Sequence, residues 1–194
     1  MRVAIIKYNA GNTLSVANAL TRLGVDAVVT DSPEQLRSAE RVIFPGVGEA
    51  SSAMVYLRQH SLDEVVRSLR QPVLGICLGM QLMCAYSEEN DTECLGIFPY
   101  RVRGFESRTL KVPHTGWNRI TGLCSPLFAG VAESEYMYFV HSFYLEGGGS
   151  ATAVTDYSQK FSSAIEQNNF YAVQFHPERS GNAGARVLEN FLKL

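Results

Sequence analysis

The segment Gly75-Ile76-Cys77-Leu78-Gly79-Met80-Gln81 decides the fold of this chain. It follows the apolar residues Pro72-Val73-Leu74 and leads into a stretch with a helical pattern. A reactive residue with glycine two positions before it and two positions after it is typical of a nucleophile elbow, which is a sharp turn from a strand into a helix. The nucleophile there adopts a strained backbone, so its neighbours must be small for strand and helix to close together. The pattern predicts that Cys77 is a catalytic nucleophile.

The position of Cys77 at the start of a helix supports that interpretation. The helix macrodipole and the free backbone N–H groups of a first turn lower the pKa of a thiol placed there. The alternative is a small buried cysteine between two turn glycines. For an isolated cysteine that alternative would be favoured, but both glycines and the strand-to-helix context favour the catalytic one.

A cysteine nucleophile needs a general base, and His176 has the best setting among the four histidines. It follows the strand-like run Tyr171-Ala172-Val173-Gln174-Phe175 and precedes Pro177, which restricts His176 to extended geometry. Glu178, two residues further on, can orient the imidazole, so the three side chains match the nucleophile–base–orienter logic of a triad. Taken alone, an exposed His-Pro-Glu turn is the simpler interpretation. Only the fold can bring His176 to Cys77, since about a hundred residues separate them.

The first half of the chain alternates short apolar runs with helical patterns, which is typical of an α/β fold. Strands are predicted at residues 3–6, 27–29, 42–44 and 73–76, and helices at residues 14–23, from Pro33, and over 51–70. Capping boxes are predicted at Ser32-Pro33-Glu34-Gln35 and at Ser61-Leu62-Asp63-Glu64, where the third helix breaks. Parallel strands of this kind place ligands beyond their carboxyl ends, where Cys77 falls.

The second half changes to short strands separated by glycine and asparagine turns. Residues 136–140 and 164–167 are strand candidates, and residues 167–170 predict a hairpin turn. A closing helix is predicted over residues 183–192, with Asn182 as its N-cap. The sequence Gly-Gly-Gly-Ser at residues 147–150 predicts a flexible turn too short for a domain linker. We expect one α/β domain over residues 1–194, with a central mixed, mostly parallel sheet flanked by helices and carrying a nucleophile elbow.

Composition excludes several function classes. The 194 residues suit one domain with a sizeable core, and a net charge of −2 gives no electrostatic case for nucleic acid or an anionic membrane. No apolar run approaches the ~20 residues that span a bilayer, and the chain opens on a strand rather than a signal peptide. The four cysteines lack paired zinc-ligand spacing. We therefore expect a cytoplasmic protein without a metal or cofactor.

The motifs together resemble the class I glutamine amidotransferases. The order of Cys77, then a late His176-Pro177-Glu178, matches that family, and Phe44-Pro45-Gly46-Val47-Gly48 resembles its oxyanion strand. Within the family the chain is most similar to the stand-alone glutaminase subunits of histidine biosynthesis. Two segments carry this finer resemblance, Tyr8 to Asn12 with its Ala10-Gly11-Asn12, and Pro113-His114-Thr115-Gly116-Trp117-Asn118.

The resemblance implies glutamine hydrolysis and assigns roles to individual residues. Cys77, His176 and Glu178 would be catalytic, and the backbone N–H groups of Val47 and Leu78 would bind the oxyanion. L-Glutamine would be bound by residues from three segments: Gly48, Gly79, Gln81, His141, Ser142 and Phe143. For Gln81 a solvated helical side chain is the alternative, and for His141 a core histidine.

The resemblance also implies a partner, a (β/α)8-barrel cyclase subunit that accepts the ammonia. Asn12, Trp117 and Arg179 are the candidates for facing it, although burial is the ordinary expectation for a single tryptophan. Lys7, Asn9, Thr115 and Arg179 depart from the family's usual residues.

The sequence alone leaves three other functions open. They are the glutaminase subunit of another class I enzyme, in pyridoxal phosphate, purine or anthranilate synthesis; a cysteine hydrolase acting on other amides or γ-glutamyl peptides; and a catalytically silent regulatory module.

Overall fold

A large mixed sheet runs through the computed structural model, which describes residues 1–9, 11–107, 109–146 and 151–194. The predicted turn at 147–150 and Ala10 lie outside these residues. The strands are β1 (Val3–Ile6), β2 (Ala27–Thr30), β3 (Arg41–Phe44), β4 (Val73–Ile76), β5 (Cys84–Ser87), β6 (Thr92–Glu93), β7 (Phe98–Gly104), β8 (His114–Arg119), β9 (Tyr136–His141), β10 (Phe143–Glu146), β11 (Ala151–Asp156), β12 (Lys160–Gln167) and β13 (Phe170–Val173). The helices are α1 (Thr13–Arg22), α2 (Pro33–Ser38), α3 (Ala50–Gln59), α4 (Leu62–Ser68), α5 (Leu78–Met83) and α6 (Gly181–Lys193), with 3-10 turns at Pro126–Phe128 and Pro177–Arg179.

The parallel half of the sheet positions the site. Its strand order is β2-β1-β3-β4-β13, and every neighbouring pair in that run is parallel. The order continues through β12, β10, β7, β5 and β6, with β11 paired to β12, while β8 and β9 form a separate antiparallel pair. Because β3, β4 and β13 are parallel neighbours, their carboxyl ends meet at one edge. The segments that follow them carry Val47, Cys77 and His176.

Two apolar cores cover the two faces of this sheet. Successive residues of a strand point to opposite faces, so Val73 packs with α3 and α4, whereas Leu74 packs with α1 and α6. Residues such as Phe44 and Phe191 are fully buried in these cores. Burying one side chain of this size stabilises a fold by about 1.5–3 kcal/mol. The predicted α/β class, with helices on both faces of a mostly parallel sheet, is confirmed.

Most local predictions hold as well. The first four strands and α1 lie where the pattern placed them, and Ser32 caps α2 by accepting a hydrogen bond from the Gln35 backbone. The hairpin turn between β12 and β13 is present, with Gln167 paired to Phe170. Within the described residues, no helix is long and apolar enough to cross a bilayer.

Two predicted helix caps are wrong, although the predicted break near Ser61 is present between α3 and α4. Ser61 makes no side-chain capping bond; its φ is 53°, so it forms a left-handed turn that joins α3 directly to α4. Asn182 lies inside α6, which begins at Gly181 because the 3-10 turn at Pro177–Arg179 runs straight into it. The residue before α6, Ser180, uses its hydroxyl to bond the His176 carbonyl instead of capping the helix.

Candidate active site

The turn between β4 and α5 has the geometry of a nucleophile elbow. Cys77 has φ 52° and ψ −108°, a conformation that L residues rarely adopt and that costs about 1–3 kcal/mol. A Cβ atom on Gly79 would lie 2.0 Å from the Phe44 carbonyl oxygen, and one on Gly75 would lie 2.9 Å from the Met83 sulfur. Position 79 therefore requires glycine, and position 75 leaves almost no room for a side chain because the Met80 backbone nitrogen would also lie 3.0 Å away, which is the steric reason that the sequence pattern indicated.

We expect Gly79→Ala to destabilise the protein by about 3 kcal/mol or more, because its methyl group would meet the rigid backbone of β3. Gly104→Ala is the matched control, since a Cβ there makes only ordinary contacts, 3.5 Å from the Phe143 ring. Urea unfolding of both variants measures the difference. A Gly79→Ala variant as stable as Gly104→Ala would contradict the close approach of α5 to β3.

His176 and Glu178 form a buried pair just beyond β13. The imidazole Nδ1 lies 2.8 Å from a Glu178 carboxylate oxygen, and both side chains are 1% exposed. The His176 backbone is fixed from two directions, since its N–H donates to the Tyr138 carbonyl and its own carbonyl accepts from the Ser180 hydroxyl. Nδ1 is thus committed to the carboxylate, and the other ring nitrogen, Nε2, is the one left for chemistry.

The charge state of His176 depends on Cys77. Burial lowers the pKa of His176, but the nearby Cys77 sulfur and Glu178 outweigh burial and raise that pKa to about 10. Nε2 is buried and has no hydrogen-bond partner among the residues that the structure describes. The sulfur is therefore close enough to act electrostatically on the imidazole without a hydrogen bond of ordinary geometry. Such loose contacts are common in active sites without substrate.

A cavity of about 260 Å³ opens beside Cys77, with room for a molecule the size of an amino acid. It is lined by residues from the segments that follow β3 and β4 and by residues from elsewhere in the chain: Val47, Gly48, Cys77, Leu78, Gln81, Glu89, Pro113, Val140, His141, Ser142 and Phe143. The structure thus brings to one cavity all the residues predicted to bind glutamine except Gly79. Gly79 is absent from this lining and lies against Phe44, so its binding role stays a prediction.

Comparison with known proteins identifies the family. The family model for glutamine amidotransferase class I matches residues 4–194. The chain belongs to the class I glutamine amidotransferases. The imidazole glycerol phosphate synthase subunit HisH of Bacteroides fragilis is 56% identical over all of both chains, and that of Bacteroides thetaiotaomicron is also 56% identical over its full length. A crystal structure of a glutamine amidotransferase covers 98% of this chain and 97% of its own, with TM-score 0.74 and 19% identity, and it shows the shared fold.

The glutamine amidotransferase cavity rests on a buried network of amides and imidazoles. Gln81 donates from its amide nitrogen to the Phe143 carbonyl, at 2.9 Å, and to the Gln174 side-chain oxygen, at 3.0 Å. His141 Nδ1 lies 2.7 Å from the same carbonyl, and its Nε2 lies 3.0 Å from His114 Nδ1. Since a carbonyl only accepts, His141 carries its proton on Nδ1, and its Nε2 accepts a hydrogen bond from the Nδ1–H group of His114. Burial lowers the pKa of His141 to about 3 and that of His114 to about 4, so both rings are neutral at physiological pH.

The segment predicted to bind the oxyanion has a defined peptide orientation. The Leu78 N–H points at the Gly46 carbonyl oxygen, 3.4 Å away. In a trans peptide the carbonyl of Gly46 and the N–H of Val47 point in opposite directions, so the Val47 N–H faces away from Leu78. Gly46 has no space for a side chain, because a Cβ there would lie 2.6 Å from the Leu78 Cβ.

The predicted partner-facing residues lie on adjoining elements. Trp117 on β8 is 55% exposed, as a partner-facing position requires and contrary to the ordinary burial of tryptophan, and its ring centroid lies 5.9 Å from that of Tyr138 on β9. Tyr138 in turn binds the His176 backbone, beside the exposed Arg179. Asn12 is half-buried and caps α1, which packs against the turn that carries Arg179.

Sequence reasoning missed Glu89, Gln174 and Ser180. Glu89 lies in a run of polar residues that reads as a solvated turn, and nothing local marks it. A signal did exist for Gln174, because residues two apart on a strand share a face and His176 was already a candidate. Ser180 acts through its bond to a backbone carbonyl, which no sequence pattern reveals.

Proposed function

We propose that this chain is the glutaminase subunit of imidazole glycerol phosphate synthase, and that residues 1–194 act as one domain. It would hydrolyse L-glutamine to glutamate and ammonia through a thioester on Cys77. The observation that carries the proposal is Cys77, held in a strained conformation at the wall of an amino-acid-sized cavity, with a buried His176–Glu178 pair beside it. A catalytically silent module would have no need to maintain that strain and that buried charge.

The first half-reaction forms the thioester. The Cys77 thiolate attacks the side-chain amide carbon of glutamine, and the carbonyl electrons move to oxygen to give a tetrahedral oxyanion. Protonated His176 then donates its Nε2 proton to the amide nitrogen, so that ammonia leaves as the carbonyl re-forms. The raised pKa of His176 supports this role, because it keeps the imidazole protonated until the leaving group needs the proton.

The second half-reaction releases glutamate. His176, now neutral, removes a proton from water, and the resulting hydroxide attacks the thioester carbon. Collapse of this second tetrahedral intermediate breaks the carbon–sulfur bond and returns the thiolate. Glu178 keeps Nδ1 protonated and the ring oriented through both steps, as an orienting carboxylate does in other triads.

The cavity lining supports glutamine as the substrate. Glu89 provides a carboxylate at its wall, which can pair with the α-ammonium group of an amino acid. Burial is the main cause that raises the pKa of Glu89, while the Ala50 N–H holds one of its oxygens at 2.8 Å. Ser142 and Phe143 also line the cavity, and by the family resemblance their segment would hold the substrate's amino-acid end through its backbone. Because a carboxylate of this kind selects a free amino group, it favours glutamine over simple amides.

The partner proposal rests on the relatives and on ammonia chemistry. Relatives at 42–56% identity that cover the chain's length carry the name imidazole glycerol phosphate synthase subunit HisH, which favours this partner over those of the other class I enzymes. Ammonia is mostly protonated at neutral pH and then not nucleophilic, so direct delivery to a (β/α)8-barrel cyclase avoids its loss. Asn12, Trp117 and Arg179 would face that subunit.

The orientation of the Gly46–Val47 peptide predicts a slow isolated subunit. With the Gly46 carbonyl directed at the Leu78 N–H, one oxyanion donor is occupied and the Val47 N–H is turned away. Rotating this peptide would add a donor, which is worth about 10²–10³-fold in rate. Glutamate release should therefore rise by about that factor in the complex with the cyclase and its nucleotide.

Measuring glutamate release by the isolated chain, by the complex, and by the complex with nucleotide tests both levels of the proposal. Equal rates in all three would reject the gating by the partner but leave the glutaminase function standing. No glutamate release in any of them would reject the glutaminase function itself.

A further inference from the structure

Gln174 is a buried amide that the mechanism above does not use. It is fully buried, and its side-chain nitrogen lies 3.5 Å from the Cys77 sulfur. The pairing of β4 with β13 explains this contact. Ile76 is the partner of Val173. The residues that follow them, Cys77 and Gln174, therefore lie side by side just beyond the ends of the two strands. The Cys77 N–H also donates to the Val173 carbonyl, at 2.8 Å, which fixes this register at the nucleophile.

Chemistry fixes which end of the Gln174 amide faces the sulfur. The Phe143 carbonyl can only accept, so Gln81 must present its NH2 group to it. The second hydrogen of that NH2 group points at Gln174, which must therefore present its oxygen. The Gln174 NH2 group is left to face the Cys77 sulfur. Rotating the amide by half a turn would place two donors against each other, which buried groups do not tolerate.

We propose that the Gln174 side-chain amide stabilises the Cys77 thiolate by donating a hydrogen bond to its sulfur, and that Gln81 holds this amide in the donating orientation. A donor to the charged form of an acid favours that form. The Val140 carbonyl, 3.8 Å from the sulfur, has the opposite preference because it can accept a hydrogen bond only from the thiol. Gln174 therefore offsets Val140, and it acts on the free enzyme before glutamine arrives.

This role differs from those of the neighbouring ionisable groups. His176 acts on the sulfur from the turn after β13, with Glu178 behind it on Nδ1, and Tyr8 acts on it from beyond the end of β1. His141 on β9 interacts with His176, and Glu89 lines the same cavity as Cys77. All of these titrate, whereas the Gln174 amide does not. The hydrogen bond from the Gln174 amide is therefore available at every pH. Its loss should shift the whole Cys77 ionisation profile along the pH axis without changing its shape.

The inference rests on the proposed function, because it concerns the same nucleophile. Its test is the rate of Cys77 alkylation by iodoacetamide against pH, measured on the full chain without glutamine, in a Cys124→Ser background that removes the exposed thiol. Only the thiolate reacts, so the midpoint of the profile reports how readily Cys77 ionises. Gln174→Met keeps the volume but removes the donor, and Gln174→Asn withdraws the amide by one methylene.

We expect both Gln174 variants to move the midpoint upward by about one pH unit, which is about tenfold less thiolate below the midpoint. Ser163→Ala is the matched control. Its hydroxyl is buried without a hydrogen-bond partner among the described residues, while its carbonyl bonds the Gln174 backbone, so it should leave the midpoint in place. Circular dichroism shows whether each variant folds. If Gln174→Met does not fold, the midpoint measured for Gln174→Asn decides the test.

Unchanged midpoints in the folded Gln174 variants would overturn the inference while leaving the glutaminase assignment intact. A rise in Ser163→Ala equal to that in the Gln174 variants would overturn it too, since the effect would then be structural. The proposed function fails by a different result, which is the absence of glutaminase activity in the complex.

Discussion

Cys77→Ala should lower glutamine hydrolysis by a factor on the order of 10⁵–10⁶ in the complex with the cyclase, because the covalent route is lost entirely. Cys77→Ser should be similarly inactive, since the elbow is built around a thiolate and a hydroxyl ionises far less readily. Steady-state glutamate release measures both variants. Their unfolding midpoints and their binding to the cyclase should stay close to those of the wild type, because each substitution changes only one side-chain atom of the core in which Cys77 lies.

Cys124→Ser is the matched control for this experiment. Cys124 is exposed and is not among the residues that line the cavity, so its substitution should leave the rate unchanged. Near-wild-type hydrolysis by Cys77→Ala would reject the thioester mechanism. A Cys77→Ala protein that has lost its cyclase binding would instead indicate a structural role for this residue.

His176→Asn should reduce the rate almost as far as Cys77→Ala, because one side chain serves as acid for the leaving ammonia and as base for water. Triad members act as a unit, so the double variant with Cys77→Ala should be no slower than either single variant. The measurement is again glutamate release by the complex. An active His176→Asn enzyme would mean that another histidine is the general base. His141 would then be the candidate, because it lines the cavity.

Glu178→Gln should be less damaging, with a loss of about 10²–10⁴-fold, since the base remains but its orientation and charge support are weakened. It should also change the pH dependence in a defined direction. Glu178 helps to raise the pKa of His176 to about 10 against the effect of burial. Removing its charge lowers that pKa, so His176 loses its proton earlier as the pH rises. The alkaline limb of the kcat/KM profile should therefore shift to lower pH.

An unshifted alkaline limb in Glu178→Gln would mean that a group other than His176 controls it. Glu189→Gln is a suitable control for the loss of one carboxylate. Glu189 lies on α6 and pairs with Arg186 at the surface, so its removal should change neither the rate nor the profile.

The elbow could be predicted from the sequence because its constraint is local. Gly75 and Gly79 lie within two residues of Cys77, and the steric need for them arises between one strand end and one helix start. The same holds for the capping of α2 by Ser32 and for the alternation that sends Val73 and Leu74 to opposite cores. At Ser61 the backbone adopts a left-handed turn and the side chain does not cap α4, so the capping prediction was wrong there.

By itself, the sequence determined the fold class, the strands that meet at the site and the candidates for nucleophile, base and orienter, because each depends on neighbours along the chain. Tertiary structure alone decided the partners that come from distant segments. Gln174 reaches the Cys77 sulfur only through the register of β13 against β4, and His114 meets His141 only through the pairing of β8 with β9. The peptide direction at Gly46 and the exposure of Trp117 likewise depend on what packs against them. Register and packing are set by the sum of many weak contacts across the core, and no single stretch of residues encodes that sum.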